Sequence, residues 1–91
     1  DEILWLTAKT YIKLDSNQQA MEDLKLLYSK YSHDIYGDDA LYAMAKLYQE
    51  KLNSKDQAMK LYQELMEKYP GSIFVAESRK RFRILRGDVI N

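Results

Sequence analysis

The chain has 91 residues, 46% of them hydrophobic and 31% charged, with 14 Lys+Arg balanced by 14 Asp+Glu. That apolar content is too high for intrinsic disorder, the length suits one domain, and zero formal net charge argues against a general polyanion binder. With no cysteine and a single histidine, His33, the sequence excludes disulfides, thiol nucleophiles, Cys-ligated metals and multi-histidine metal sites.

Three Gly and one Pro leave long uninterrupted stretches, which favour helices over a turn-rich β fold. The first predicted helix covers 2–14. Asp15-Ser16 then forms a tight turn, and Ser16 with Gln19 is an S-x-x-Q capping box that opens a helix over 17–31. On that helix Ala20, Leu24, Leu27, Tyr28 and Tyr31 share one face. A third helix covers 36–52, with Asp38-Asp39 suited to its positive N-terminus. Asn53-Ser54 makes the next turn, and Ser54 with Gln57 is a second capping box for a helix over 55–69, whose apolar face carries Ala58, Tyr62, Leu65, Met66 and Tyr69. Pro70-Gly71 ends it, Ser72 caps a fifth helix over 73–86, and Gly87 stops that helix ahead of a fraying tail. No segment alternates with period two, so no strand is predicted, and no apolar run approaches the roughly 20 residues that span a bilayer.

The helices repeat. Residues 16–31 and 54–69 are identical at Ser16/Ser54, Gln19/Gln57, Ala20/Ala58, Met21/Met59, Leu27/Leu65, Lys30/Lys68 and Tyr31/Tyr69, a shift of 38. Residues 2–14 and 39–51 share Leu4/Leu41, Ala8/Ala45, Lys9/Lys46 and Tyr11/Tyr48 at a shift of 37, with Trp5 and Tyr42 both aromatic. The unit is therefore a helix pair that occurs twice, with one extra residue expected in a loop. Ala8, Ala20, Ala45 and Ala58 are the small residues at which two helices approach closely. In the fifth helix the core face continues through Phe74, Phe82 and Leu85. Arg83 and Arg86 replace the alanine and tyrosine, so the helix is expected to be a polar-faced cap without a small-residue contact.

These residues resemble tetratricopeptide repeats. Ala8, Tyr11 and Ala20 keep the family spacing in the first copy, with Ser32 where proline is expected; Ala45, Tyr48, Ala58 and Pro70 match in the second. The phrasing is similar to the subtype of bacterial envelope proteins that includes the Tol–Pal-associated and outer-membrane assembly lipoprotein repeats. The resemblance implies an all-α, right-handed solenoid: one repeat at about 2–32, a second at about 36–70 and a capping helix at about 73–86. It implies a non-catalytic scaffold without cofactor that binds a peptide or partner helix in a concave groove, in a periplasmic or outer-membrane-associated setting. Asp1 in place of Met suggests a segment of a longer protein, and the polar-faced fifth helix suggests the C-terminal end of a longer repeat array.

Chemistry elsewhere is sparse. His33 beside Asp34 lacks a nucleophile and reads as an exposed loop histidine. The pairs Glu22-Asp23 and Asp38-Asp39 lack the converging oxygens of a metal loop. Arg79, Lys80, Arg81, Arg83 and Arg86 read as the solvated end of a cap rather than a nucleic-acid contact, and Arg86-Gly87-Asp88 reads as a helix end rather than an adhesion motif. Trp5 and Tyr42 stand apart from the core tyrosines, on the side that first helices show to a groove. Lys9 and Lys46 follow them by four residues and Lys80 takes the aromatic's place in the fifth helix, so these five residues are the expected partner-binding set, suited to an acidic peptide. For Trp5 the alternative is packing against a preceding repeat. Two other functions remain open at this point: a structural or oligomerising end of a larger repeat protein, and a helical accessory domain of an enzyme.

Overall fold

A computed structural model describes residues 2–31 and 36–87. Five α-helices, and no strand among the described residues, follow one another as α1 (Glu2–Lys13), α2 (Asn17–Tyr31), α3 (Gly37–Glu50), α4 (Lys55–Lys68) and α5 (Val75–Arg86). Each predicted helix is present with ends displaced by two residues at most. Every helix packs on its neighbour in chain order, giving a row of hairpins with extents of 39 × 28 × 18 Å. None of the described helices is long and apolar enough to cross a membrane.

The small residues set the spacing. Ala8, Ala20, Ala45 and Ala58 are all completely buried. Ala8 and Ala20 lie in a cluster with Leu24, Leu27 and Leu41, while Ala45 and Ala58 share a second with Tyr62. A methyl group at each crossing lets the backbones close in, and the larger side chains fill the wedges to either side. On α5, Phe82 and Leu85 pack on the second cluster and Val75 on the first, with Phe74 just ahead of the helix also on the first, so the expected core face is there. Arg83 is exposed. No small residue stands at the Ala45 register, as expected, but at another register Ser78, 38 residues after buried Ala40, is itself completely buried.

Both helix pairs turn in the same way. At the end of α1 the Ser16 amide donates to the Tyr11 carbonyl (2.9 Å) and the Asp15 amide to Ile12 (3.1 Å), with Asp15 left-handed at φ 57°. These are the paired bonds of a Schellman ending, made here without glycine. Asn53 occupies the equivalent position at φ 50°. The extra residue of the second pair falls in the connection, as the sequence suggested: residues 14–16 join α1 to α2, and residues 51–54 join α3 to α4. There the Leu47 carbonyl accepts from both Lys51 and Leu52 amides at 3.0 Å, which widens the turn by one residue.

The capping expectations are corrected too. Ser54 makes no side-chain cap; its hydroxyl donates back to the Leu52 carbonyl at 3.4 Å, because the tight turn offers a competing acceptor. The backbone carbonyls of Ser16 and Ser54 both enter their helices, accepting from the Ala20 (3.0 Å) and Ala58 (2.9 Å) amides. The residue before α5 is Phe74, not Ser72. Ser72 instead accepts from the Phe74 amide (3.1 Å) and donates to Asp38 Oδ2 (2.5 Å), tying the turn before α5 to the start of α3. Gly87 does end α5 in the left-handed region, φ 96°, with its amide shared between the Arg83 and Ile84 carbonyls. Ser32, His33, Asp34 and Asp88 lie outside the described residues.

Two predictions follow from these contacts. Ala45→Arg and Ala58→Arg should each cost several kcal/mol, since a long cation would be forced into a methyl-sized gap; thermal melts near the parent midpoint would contradict the packing. Asn53→Val should cost about 1–2 kcal/mol because a β-branched residue resists positive φ, whereas Asn53→Gly should not destabilise. Equal denaturation midpoints for Asn53→Val and the parent would contradict the turn geometry.

Candidate functional site

A cleft of about 350 Å³ opens between α1 and α3. Helical spacing builds both walls: Trp5, Lys9, Ile12 and Lys13 from α1 face Asp39, Tyr42, Ala43, Lys46, Leu47 and Glu50 from α3, with Lys51 and Phe74 completing the lining. Of the five residues expected from sequence, Trp5, Lys9, Tyr42 and Lys46 are brought together here, and Lys80 is not. Lys80 is exposed on α5, where the equivalent cleft would lie between α3 and α5, beyond Phe74.

The walls carry one small unit twice. Trp5 stacks on Tyr36, with ring centres 5.8 Å apart and planes inclined by 26°, and the Lys9 ammonium lies 5.6 Å from the Trp5 ring centre. Tyr42 stacks on Phe74 at 4.5 Å and 12°, and Lys46 lies 5.6 Å from the Tyr42 ring. Each unit is thus an aromatic on a first helix, a lysine one turn later, and a second aromatic from the start of the next repeat. Cation–ring contacts at that range hold the lysine stems down along the wall. Phe74 was missed as a cleft residue, although its register with Tyr36, 38 residues earlier, was visible in the repeat.

The charges in the cleft are unequal. Four lysines and two carboxylates line it. Glu50 is engaged by Arg81 at 3.2 Å and Lys51 by Asp15 at 3.4 Å. Asp39 sits low in the wall; burial first, and the neighbouring Asp38 charge second, push its carboxyl above the ordinary range, while Lys9 opposes the shift. Asp38 itself is occupied by the Ser72 hydroxyl and the Asp39 amide (3.0 Å), which accounts for this acidic pair without a metal. The net result is an apolar aromatic floor with an excess of ammonium groups along it, chemistry that suits a chain bearing carboxylates.

Behind the cleft a polar network fixes α3, α4 and α5 together. Tyr42 leans on Tyr62 at 6.1 Å. The buried Tyr62 hydroxyl donates to Gln49 Oε1 (2.6 Å), and the Arg81 guanidinium donates to the same oxygen (3.0 Å) and to Glu50 (3.2 Å). Arg81 is therefore a strut, not part of a solvated cap, which corrects the reading of the basic run. Nothing in the spacing of that run separates Arg81 from its neighbours; only its place on the buried flank of α5 does.

Residues 39–72 match the family model of the tetratricopeptide repeat. No curated protein and no solved structure matches the chain. The match covers α3, α4 and the turn after them, which supports the tetratricopeptide family for this helix pair and, through the internal repeat, for the pair before it. It gives no support to the Tol–Pal-associated or outer-membrane lipoprotein subtype.

Burial pushes the Tyr62 hydroxyl up to about 12, against the opposing pull of Arg81. An unfolded tyrosine ionises at its ordinary value of 10.0, so the unfolded chain loses this proton first. The Tyr62 contribution to stability is thus complete below pH 10 and is lost as pH rises towards 12. Absorbance titration of the tyrosines should show one late phase near pH 12 that coincides with loss of helicity and disappears in Tyr62→Phe. A titration finished before that pH, with helicity intact, would contradict the buried network.

Proposed function

We propose that this chain is a non-catalytic protein-binding module whose cleft between α1 and α3 holds an extended acidic segment of a partner protein. The observation that carries the reading is the twice-built wall of aromatic and lysine, Trp5 with Lys9 and Tyr42 with Lys46, open to solvent on one face. Tetratricopeptide repeats generally mediate protein–protein interaction, and this cleft supplies both terms such an interaction needs. Apolar ring edges give affinity by burial, and ammonium groups give orientation and a charge preference. The bacterial-envelope setting rests on sequence resemblance alone and belongs to this proposal.

The single tryptophan of the chain lines the cleft, so its fluorescence reports occupancy. A panel of extended peptides graded in acidic content should be titrated while Trp5 emission is followed. The acidic members should shift the emission and bind less tightly as salt rises. Lys9→Glu/Lys46→Glu should weaken them about tenfold or more, with helicity unchanged. Affinity independent of acidic content, or unaffected by the double reversal, would overturn the reading.

A further inference from the structure

The cleft differs in charge from one end to the other. α1 and α3 run side by side in the same sense: Trp5 stacks on Tyr36 near their starts, and Asp15 pairs with Lys51 at 3.4 Å just past their ends. Asp39 therefore lines the starting end, with Trp5, Tyr42 and Phe74, while Lys46 and Lys13 stand towards the far end. The carboxylates of the far end are already matched, Asp15 by Lys51 and Glu50 by Arg81 at 3.2 Å. Among the described residues, Lys9, Lys13 and Lys46 have no carboxylate within ion-pair range. At the starting end the balance is reversed. Asp39 has the Asp38 charge beside it and Lys9 as its opposing charge, and that ammonium is drawn over the Trp5 ring. The order is written into the repeat: Glu2 precedes Trp5 by three residues and Lys9 by seven, as Asp39 precedes Tyr42 and Lys46.

On the reading of this cleft as the partner site, we infer that Asp39 gives it a direction, so that the segment it takes carries its carboxylates on one side only of an apolar anchor. Burial and Asp38 already act against the charge on Asp39. A partner carboxylate brought to that end therefore meets a like charge in a partly buried wall, with Lys9 shared between the two. An apolar side chain meets no such penalty there and finds the rings of Trp5, Tyr42 and Phe74. Asp39 and Lys46 are seven residues apart, about 10 Å along α3, a distance that roughly three residues of extended chain span. The segment so defined has an apolar residue at the ring end and carboxylates beginning about three residues away, all in one direction. The lysines select by attraction and Asp39 by exclusion.

Two phenylalanine peptides of equal length and equal net charge test this at about pH 8, where carboxylates are ionised. One carries all its carboxylates on one side of the ring, and is made in both chain orders with the tighter order used. The other divides them between the two sides. Followed by Trp5 emission, the parent should bind the one-sided peptide about threefold or more tighter. Asp39→Asn, with helicity unchanged, should bring the two affinities together. A nitroxide on the acidic end of the one-sided peptide should broaden the Lys13 and Lys46 amides of the parent more than those of Asp39 and Tyr42. Equal affinities in the parent, a preference that survives Asp39→Asn, or broadening strongest at Asp39 would overturn the direction while leaving the cleft as the partner site. If neither peptide binds, the site itself is wrong and the direction falls with it.

Discussion

Everything in this structure depends on how closely the helices of a pair can approach. Four alanine methyls, at Ala8, Ala20, Ala45 and Ala58, fix that distance. Because the contact recurs at nearly constant spacing in the chain, each hairpin leans on the next in the same way, and residues in equivalent positions line up along one wall. The cleft follows from this: Trp5 and Tyr42 stand side by side only because their helices are held in register by what lies behind them. Arg81 and Tyr62, meeting at Gln49, secure the second wall to the last helix, so the end of the stack and the cleft are mechanically one unit.

The parts of the fold that repeat were legible in the sequence. Ala45 and Ala58 declare themselves because their counterparts sit at matching places in the other pair, and a helical face that recurs is hard to mistake. What a single side chain chooses locally was less legible. Ser54 has the spacing of a capping residue, yet the left-handed Asn53 brings a carbonyl within reach and the hydroxyl turns to it. Ser72 was read as a cap and serves instead as a tether to Asp38, a choice set by a residue far away in the chain. Ser78 stayed hidden because serine is usually a surface residue, although its register with Ala40 is the same shift that relates Phe74 to Tyr36.

The same division holds for the cleft. Trp5, Lys9, Tyr42 and Lys46 were marked by the repeat, whereas Lys80 carried the register one unit too far. The repeating element consists of an aromatic and a lysine together with an aromatic from the following pair, and Phe74 is the last residue able to supply it. Asp39 is hidden for a different reason: at the start of a helix an acidic residue has a sufficient local explanation, and its place low in the cleft wall depends on how α1 lies across α3. That arrangement makes the site mixed in charge, with one carboxyl held beside the lysines.

The central claim is that the space between α1 and α3 is where a partner protein sits. Backbone and indole NMR signals, followed while an acidic peptide is added, test it most directly. The account predicts that the largest shifts cluster on the Trp5 indole and on the amides of Lys9, Tyr42 and Lys46, with α4 little affected. Shifts centred on the outer surfaces of α4 and α5, with Trp5 and Tyr42 unmoved, would contradict it.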